Sequence, residues 1–107
     1  MKNDPVLSMI GLCNKAGKIK SGAVAVEKAV KNGEAFLLII ANDASDNSKK
    51  ELLNMCSYYS CETCFYGTKD DFGNILGKSE RSALAIIDEG FKKSILKKLP
   101  PAGEEGF

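Results

Sequence analysis

Three of the chain's four cysteines fall in one nine-residue stretch, CSYYSCETC at 56–64, spaced C-x4-C-x2-C. Thiolates at such spacings hold iron–sulfur clusters and zinc ions. Either centre needs four thiolates, or thiolates completed by histidine, and the chain has no histidine. The fourth thiol, Cys13, lies far upstream, where it recurs with Val6, Met9 and Ile10 at helical spacing. Cys56 also falls on an apolar helical stripe, and Cys61 and Cys64 have no second C-x2-C pair to complete a zinc ribbon. The four are therefore read as small core side chains. No metal and no cofactor is expected, and a thiol-based metal or redox module stays as an alternative. Without histidine the usual general base is missing. No nucleophile elbow, Walker loop or GxGxxG turn is present, so no enzyme is expected.

Charge is the second chemical signal. Net charge is +1, yet residues 15–31 carry Lys15, Lys18, Lys20, Lys28 and Lys31 against Glu27 alone. A basic strip on a nearly neutral chain is an electrostatic footprint for nucleic acid, and a solvated lysine face is its bland counterpart.

The elements that must position these groups follow from pattern. A chain of 107 residues, 44% hydrophobic with three prolines, suits one compact domain. The start, MKNDPVLSMIGL, reads as a helix entry rather than a targeting peptide. No apolar run is long enough to span a membrane. A cytoplasmic protein with reduced thiols is expected. Asp4-Pro5 caps a first helix that Gly17 ends, and a strand at 18–20 follows. Gly22 opens a second helix whose buried stripe is Val26, Ala29 and Val30, with Lys28 and Lys31 together on the other side. The apolar run FLLIIAN reads as a central strand covered on both faces. Ser48 and Glu51 have the form of a capping box, starting a helix that turns Leu52, Leu53, Cys56 and Tyr59 inward. A strand at 64–66, a helix from Thr68 to Gly77, a strand in SALAII and a last helix from Asp88 complete the domain, 1–99. Residues 100–107 read as a flexible tail. The alternation of helix and strand gives a sheet with helices on both faces.

The stretch KAGKIKSGAVAVEKAVKNGEAFLLIIANDAS, 15–45, resembles the superfamily of ribosomal proteins L-seven-Ae and L-thirty-e. KKELLNMCSYY and TKDDFGNILGKSERSALAIIDEGF continue in the same register, so the resemblance covers roughly residues 6–96. NKAGK, NDAS before a lysine pair, C-x-YY and DEGF are similar to the bacterial YlxQ-like subgroup. The resemblance implies an α/β three-layer α/β/α sandwich with a mixed four-stranded sheet in a single domain. It also implies binding of structured RNA, typically a kink-turn, by a ribosomal or ribosome-associated protein that is a monomer when free and has no membrane partner.

Carried over by position, Gly22 matches the glycine before the RNA-reading helix, and Ala23, Val24 and Ala25 form that helix's tip. Lys28 matches the family lysine one turn along, with Lys18, Lys20 and Lys31 flanking it. Asn42 and Asp43 fall in the loop after the second strand. Gly77, Lys78, Ser79, Glu80 and Arg81 form the loop before the last strand. One departure stands out. Kink-turn binders usually carry Asn-Glu where this chain has Val24 and Ala25, and neither side chain donates or accepts a hydrogen bond. That leaves phosphate and backbone contacts, with weaker affinity or a different RNA motif. It also leaves open a protein-interaction module of the same fold.

Overall fold

The computed structural model describes residues 4–100; most of the expected tail lies outside them. Five helices alternate with four strands: α1 (Pro5–Lys15), β1 (Ile19–Ser21), α2 (Ala23–Lys31), β2 (Leu37–Ile40), α3 (Asp46–Tyr58), β3 (Glu62–Phe65), α4 (Lys69–Leu76), β4 (Ala83–Ile86) and α5 (Glu89–Lys98). The strand order is β1-β4-β2-β3. β4 runs antiparallel to both β1 and β2, whereas β3 runs parallel to β2. α1 packs against α4 and α5, and α2 packs against α3. The sheet lies between these two helical layers, an α/β/α sandwich in one domain.

Burial explains the order. Leu37, Leu38, Ile39 and Ile40 are all fully buried, as a strand paired on both edges and covered on both faces must be. Val6, Ile10 and Cys13 close the core from α1, and Val26, Ala29 and Val30 from α2. Asp4 caps α1 by accepting from the Val6 and Leu7 N–H groups, and its other oxygen accepts from the Tyr66 hydroxyl at 2.7 Å. That bond ties the first helix to the end of β3.

Three sequence expectations shift. β1 and β3 sit at 19–21 and 62–65 rather than 18–20 and 64–66, because pairing with Ile86–Leu84 and with Leu37–Ile40 sets their limits. α3 begins three residues earlier than the Ser48 box predicts. Ser45 is the cap, its hydroxyl accepting from Ser48 N–H at 3.1 Å, while Glu51 takes a bond from the Asn47 amide. The reciprocal box occurs instead between Thr68 and Asp71 at the start of α4. On α3, Leu52 and Met55 flank buried Cys56, whereas Leu53 and Tyr59 are exposed. The cap assignment is testable: Ser45→Ala should cost about 1 kcal/mol in urea unfolding, and Ser48→Ala less than about 0.5 kcal/mol.

Cys13 and Cys56 are buried and Cys61 and Cys64 half-buried. Burial pushes the Cys13 and Cys64 thiols up to about 12. Among the described residues, no helix is long and apolar enough to cross a membrane.

Candidate nucleic-acid interface

Three connections meet at one end of the sheet. β1 ends with Ser21 opposite Leu84, β2 ends with Ile40 opposite Ala83, and Ala41 N–H donates to the Ser82 carbonyl at 2.8 Å. The turn into α2, the loop after β2 and the loop before β4 therefore share a corner, as strand register alone requires.

The entry to α2 is made by Gly22, at φ 88° and ψ 145°. An L side chain is strained there whatever the space around it. α1, α3, α4 and α5 are capped by the side chains of Asp4, Ser45, Thr68 and Asp88, but no side chain caps α2. The N–H groups of its first turn lack intrahelical acceptors, and they sit at the positive end of the helix dipole. Over them lie Ala23, Val24 and Ala25, of which Val24 is 80% exposed.

This tip is a ridge between two grooves, with Gly22 and Ala23 lining both. The groove on the β1 side, about 690 Å³, is lined by Lys20, Ser21, Ala25 and Lys28. The groove on the α3 side, about 780 Å³, is lined by Val26, Lys31, Met55, Tyr58 and Arg81. Lys28 and Lys31 both lie on the exposed side of α2, as the sequence reading expects, but each lines a different groove. Glu27, one turn before Lys31, holds its ammonium at 2.7 Å. That bond raises the Lys31 pKa and sets a carboxylate beside its ammonium.

Other predicted residues hold the corner together. Asp43 Oδ1 accepts from the Lys69 N–H at 2.8 Å, and Asn42 N–H donates to the Gly67 carbonyl at 2.9 Å. Both contacts fasten the loop after β2 to the start of α4. Arg81 folds back on its own loop. Its Nη1 donates to the Ser79 carbonyl, the Ser79 hydroxyl and the Glu80 carbonyl. Lys78 and Ser79 are exposed in that loop, and Glu80 pairs with Lys69 at 3.7 Å. Lys18 is not brought to the corner. It precedes β1 at the strand's other end, bonded through its backbone to Cys13 and Ile87, about 13 Å from Gly22 at strand rise.

Two contributors escape sequence reasoning. Gly73, inside α4, lets that helix lie flush on the loop before β4: a Cβ there would meet the Ser79 carbonyl oxygen at 2.9 Å. A glycine within a helical pattern was the available signal. Tyr58, 79% exposed and edge-on to Tyr59, walls the α3-side groove.

A model of the ribosomal protein L7Ae/L30e/S12e/Gadd45 family matches residues 4–96. The chain is 32% identical over 88 residues to the RNA-binding protein YlxQ of Bacillus subtilis, covering 82% of this chain and 88% of that protein. It is 30% identical over 94 residues to the large ribosomal subunit protein eL8 of Cenarchaeum symbiosum, covering 87% and 75%. A solved structure of a Bacillus halodurans protein of unknown function superposes with a TM-score of 0.82 at 33% identity, covering 89% of this chain and 96% of that one.

Proposed function

The chain belongs to the ribosomal protein L7Ae/L30e/S12e/Gadd45 family, and from that premise we propose that it binds structured RNA, ribosomal or kink-turn-like, and catalyses no reaction. An RNA-binding protein and a large-subunit ribosomal protein among its relatives support the reading. Association with the ribosome and a cytoplasmic location go with it.

The observation that carries the proposal is the tip of α2: a helix start with no side-chain cap, flanked by exposed Lys20 and Lys28. Free amides at such a terminus suit phosphate oxygens, and neighbouring ammonium groups add charge-assisted bonds. Phosphate contacts fix register, and the bent course of the RNA supplies selectivity. Gly22 sets the chain path, Lys20 and Lys28 hold the backbone from the β1 side, and Arg81 keeps the loop before β4 in shape. Asn42 and Asp43 act through the fold of the corner.

Gel shifts with a kink-turn, a mutated kink-turn and a plain duplex test this. Binding should weaken steeply between about 50 and 200 mM salt, and Lys28→Ala should weaken it by about 1–2 kcal/mol, roughly 5- to 30-fold. Wild-type affinity in that variant would remove Lys28 from the interface. The exposure of Val24 favours a second reading, a protein-interaction module, and absence of binding to all three RNAs would select it.

A further inference from the structure

The end of α3 brings two thiols together in a way the RNA-binding reading does not use. Tyr59 closes the helix, and Ser60 takes a left-handed conformation at φ 58°, rare for a residue other than glycine. Cys61 N–H then donates to the Cys56 carbonyl at 2.8 Å, and Ser60 N–H to the Ser57 carbonyl at 3.4 Å. This is the Schellman arrangement, which sets the side chain after the turn against the one in the last helical turn. Here those side chains are Cys56 and Cys61. Standard bond lengths on either side of the 2.8 Å bond keep the two Cα atoms within about 7 Å, close to the span a disulfide bridges.

We propose that Cys56 and Cys61 are a hydroperoxide-responsive pair, with Cys61 the attacking sulfur and Cys56 the resolving one. Their environments divide the roles. Cys56 is 1% exposed and Cys61 is half-buried, so an oxidant meets Cys61 first. In the neutral state the Cys61 thiol donates to the Ala35 and Glu62 carbonyls at 3.7 and 3.6 Å. The neighbouring Cys56 thiol, able to donate to a Cys61 thiolate, lowers the Cys61 pKa with help from the Lys92 ammonium, against partial burial and the Glu62 carboxylate. That same interaction with Cys61, together with burial, raises the pKa of Cys56. Lys92 also pairs with Glu62 at 2.9 Å, next in sequence to Cys61. Cys64 is placed for neither part: burial raises its pKa, and three residues along extended chain turn it to the other face of the sheet.

The chemistry balances with a hydroperoxide as the oxidant. The Cys61 thiolate attacks one peroxide oxygen, the O–O bond breaks, and the departing oxide takes a proton, leaving Cys61 as a sulfenic acid. The Cys56 sulfur then attacks the Cys61 sulfur. An S–S bond forms, the sulfenic hydroxyl leaves as water with the Cys56 proton, and a cellular thiol reverses the bond by exchange. The bridge would staple the last turn of α3 to the strand that follows, beside Tyr58 and Tyr59.

Full-length protein treated with hydrogen peroxide tests the pair. Intact mass should fall by two hydrogens, and chymotryptic cleavage after Tyr58 or Tyr59 should leave fragments joined only through Cys56 and Cys61. In Cys56→Ser, dimedone should trap a single sulfenic acid at Cys61. Cys61 should react at least about tenfold faster than Cys13 or Cys64. A bond to Cys64 in place of Cys56, or equal consumption of all four thiols by the folded wild-type protein, would overturn the proposal.

Discussion

A Gly73→Val variant is expected to lose about 3 kcal/mol of folding free energy and to bind RNA more weakly. Three backbone atoms crowd the position where its Cβ would sit: the Ser79 oxygen at 2.9 Å, and the Glu80 Cα and Lys78 oxygen at 3.0 Å. None belongs to a side chain that can rotate away. Either the Lys78–Arg81 loop lifts, or α4 shifts and disturbs Phe72, which is 0% exposed. Valine's modest gain in helix propensity over glycine, a few tenths of a kcal/mol, is too small to offset overpacking. A loss of that size is a large part of the ~5–15 kcal/mol that holds a typical domain together. Gly11 provides the contrast. It lies within α1 with nothing within 4 Å of an added Cβ, so Gly11→Ala should stabilise by about 0.5–1 kcal/mol. Urea midpoints of the two variants should move in opposite directions. An unmoved midpoint for Gly73→Val would show that the loop does not depend on this close approach.

The second large effect is a gain. Val24→Asn combined with Ala25→Glu restores the polar pair that kink-turn readers carry at these positions. The scaffold should accept both, since Val24 is 80% exposed and Ala25 only half-buried. A glutamate in the first helical turn also suits the dipole. Hydrogen bonds to base edges add about 1–3 kcal/mol of discrimination. The ratio of affinities for a kink-turn and its mutated form should therefore rise roughly tenfold or more, whatever the added negative charge does to absolute affinity. In the wild type, which reads the bend but not these base edges, that ratio should be smaller than in the double variant. Strong wild-type discrimination, with no gain in the double variant, would mean that bases are read elsewhere on the molecule.

What the sequence disclosed depended on the range of the interaction. Val26, Ala29 and Val30, and the run Leu37–Ile40, announced their burial by spacing, because periodicity against a core is local. The caps at Asp4, Thr68 and Asp88 were legible for the same reason. Ser45 and Ser48 stand three residues apart in similar company, and only the backbone path decides between them. The corner was legible as a set of loops but not as a division of labour. Asp43 reaches a backbone amide 26 residues away, and no local pattern encodes that. Lys31 and Lys28 looked equivalent until Glu27 claimed the first. Gly73 owes its role to a neighbouring loop rather than to its own helix.

The grip proposed at Gly22 combines main-chain amides with the Lys20 and Lys28 ammonium groups and draws nothing from the side chains at 23–25. Drift at residues 23–25 can therefore rewrite which RNA is preferred without erasing the ability to hold one, provided the glycine stays. Such a surface would let relatives on one scaffold diverge in target through a handful of codons, and an alanine scan would register the lysine share of the hold while missing the share carried by the amides.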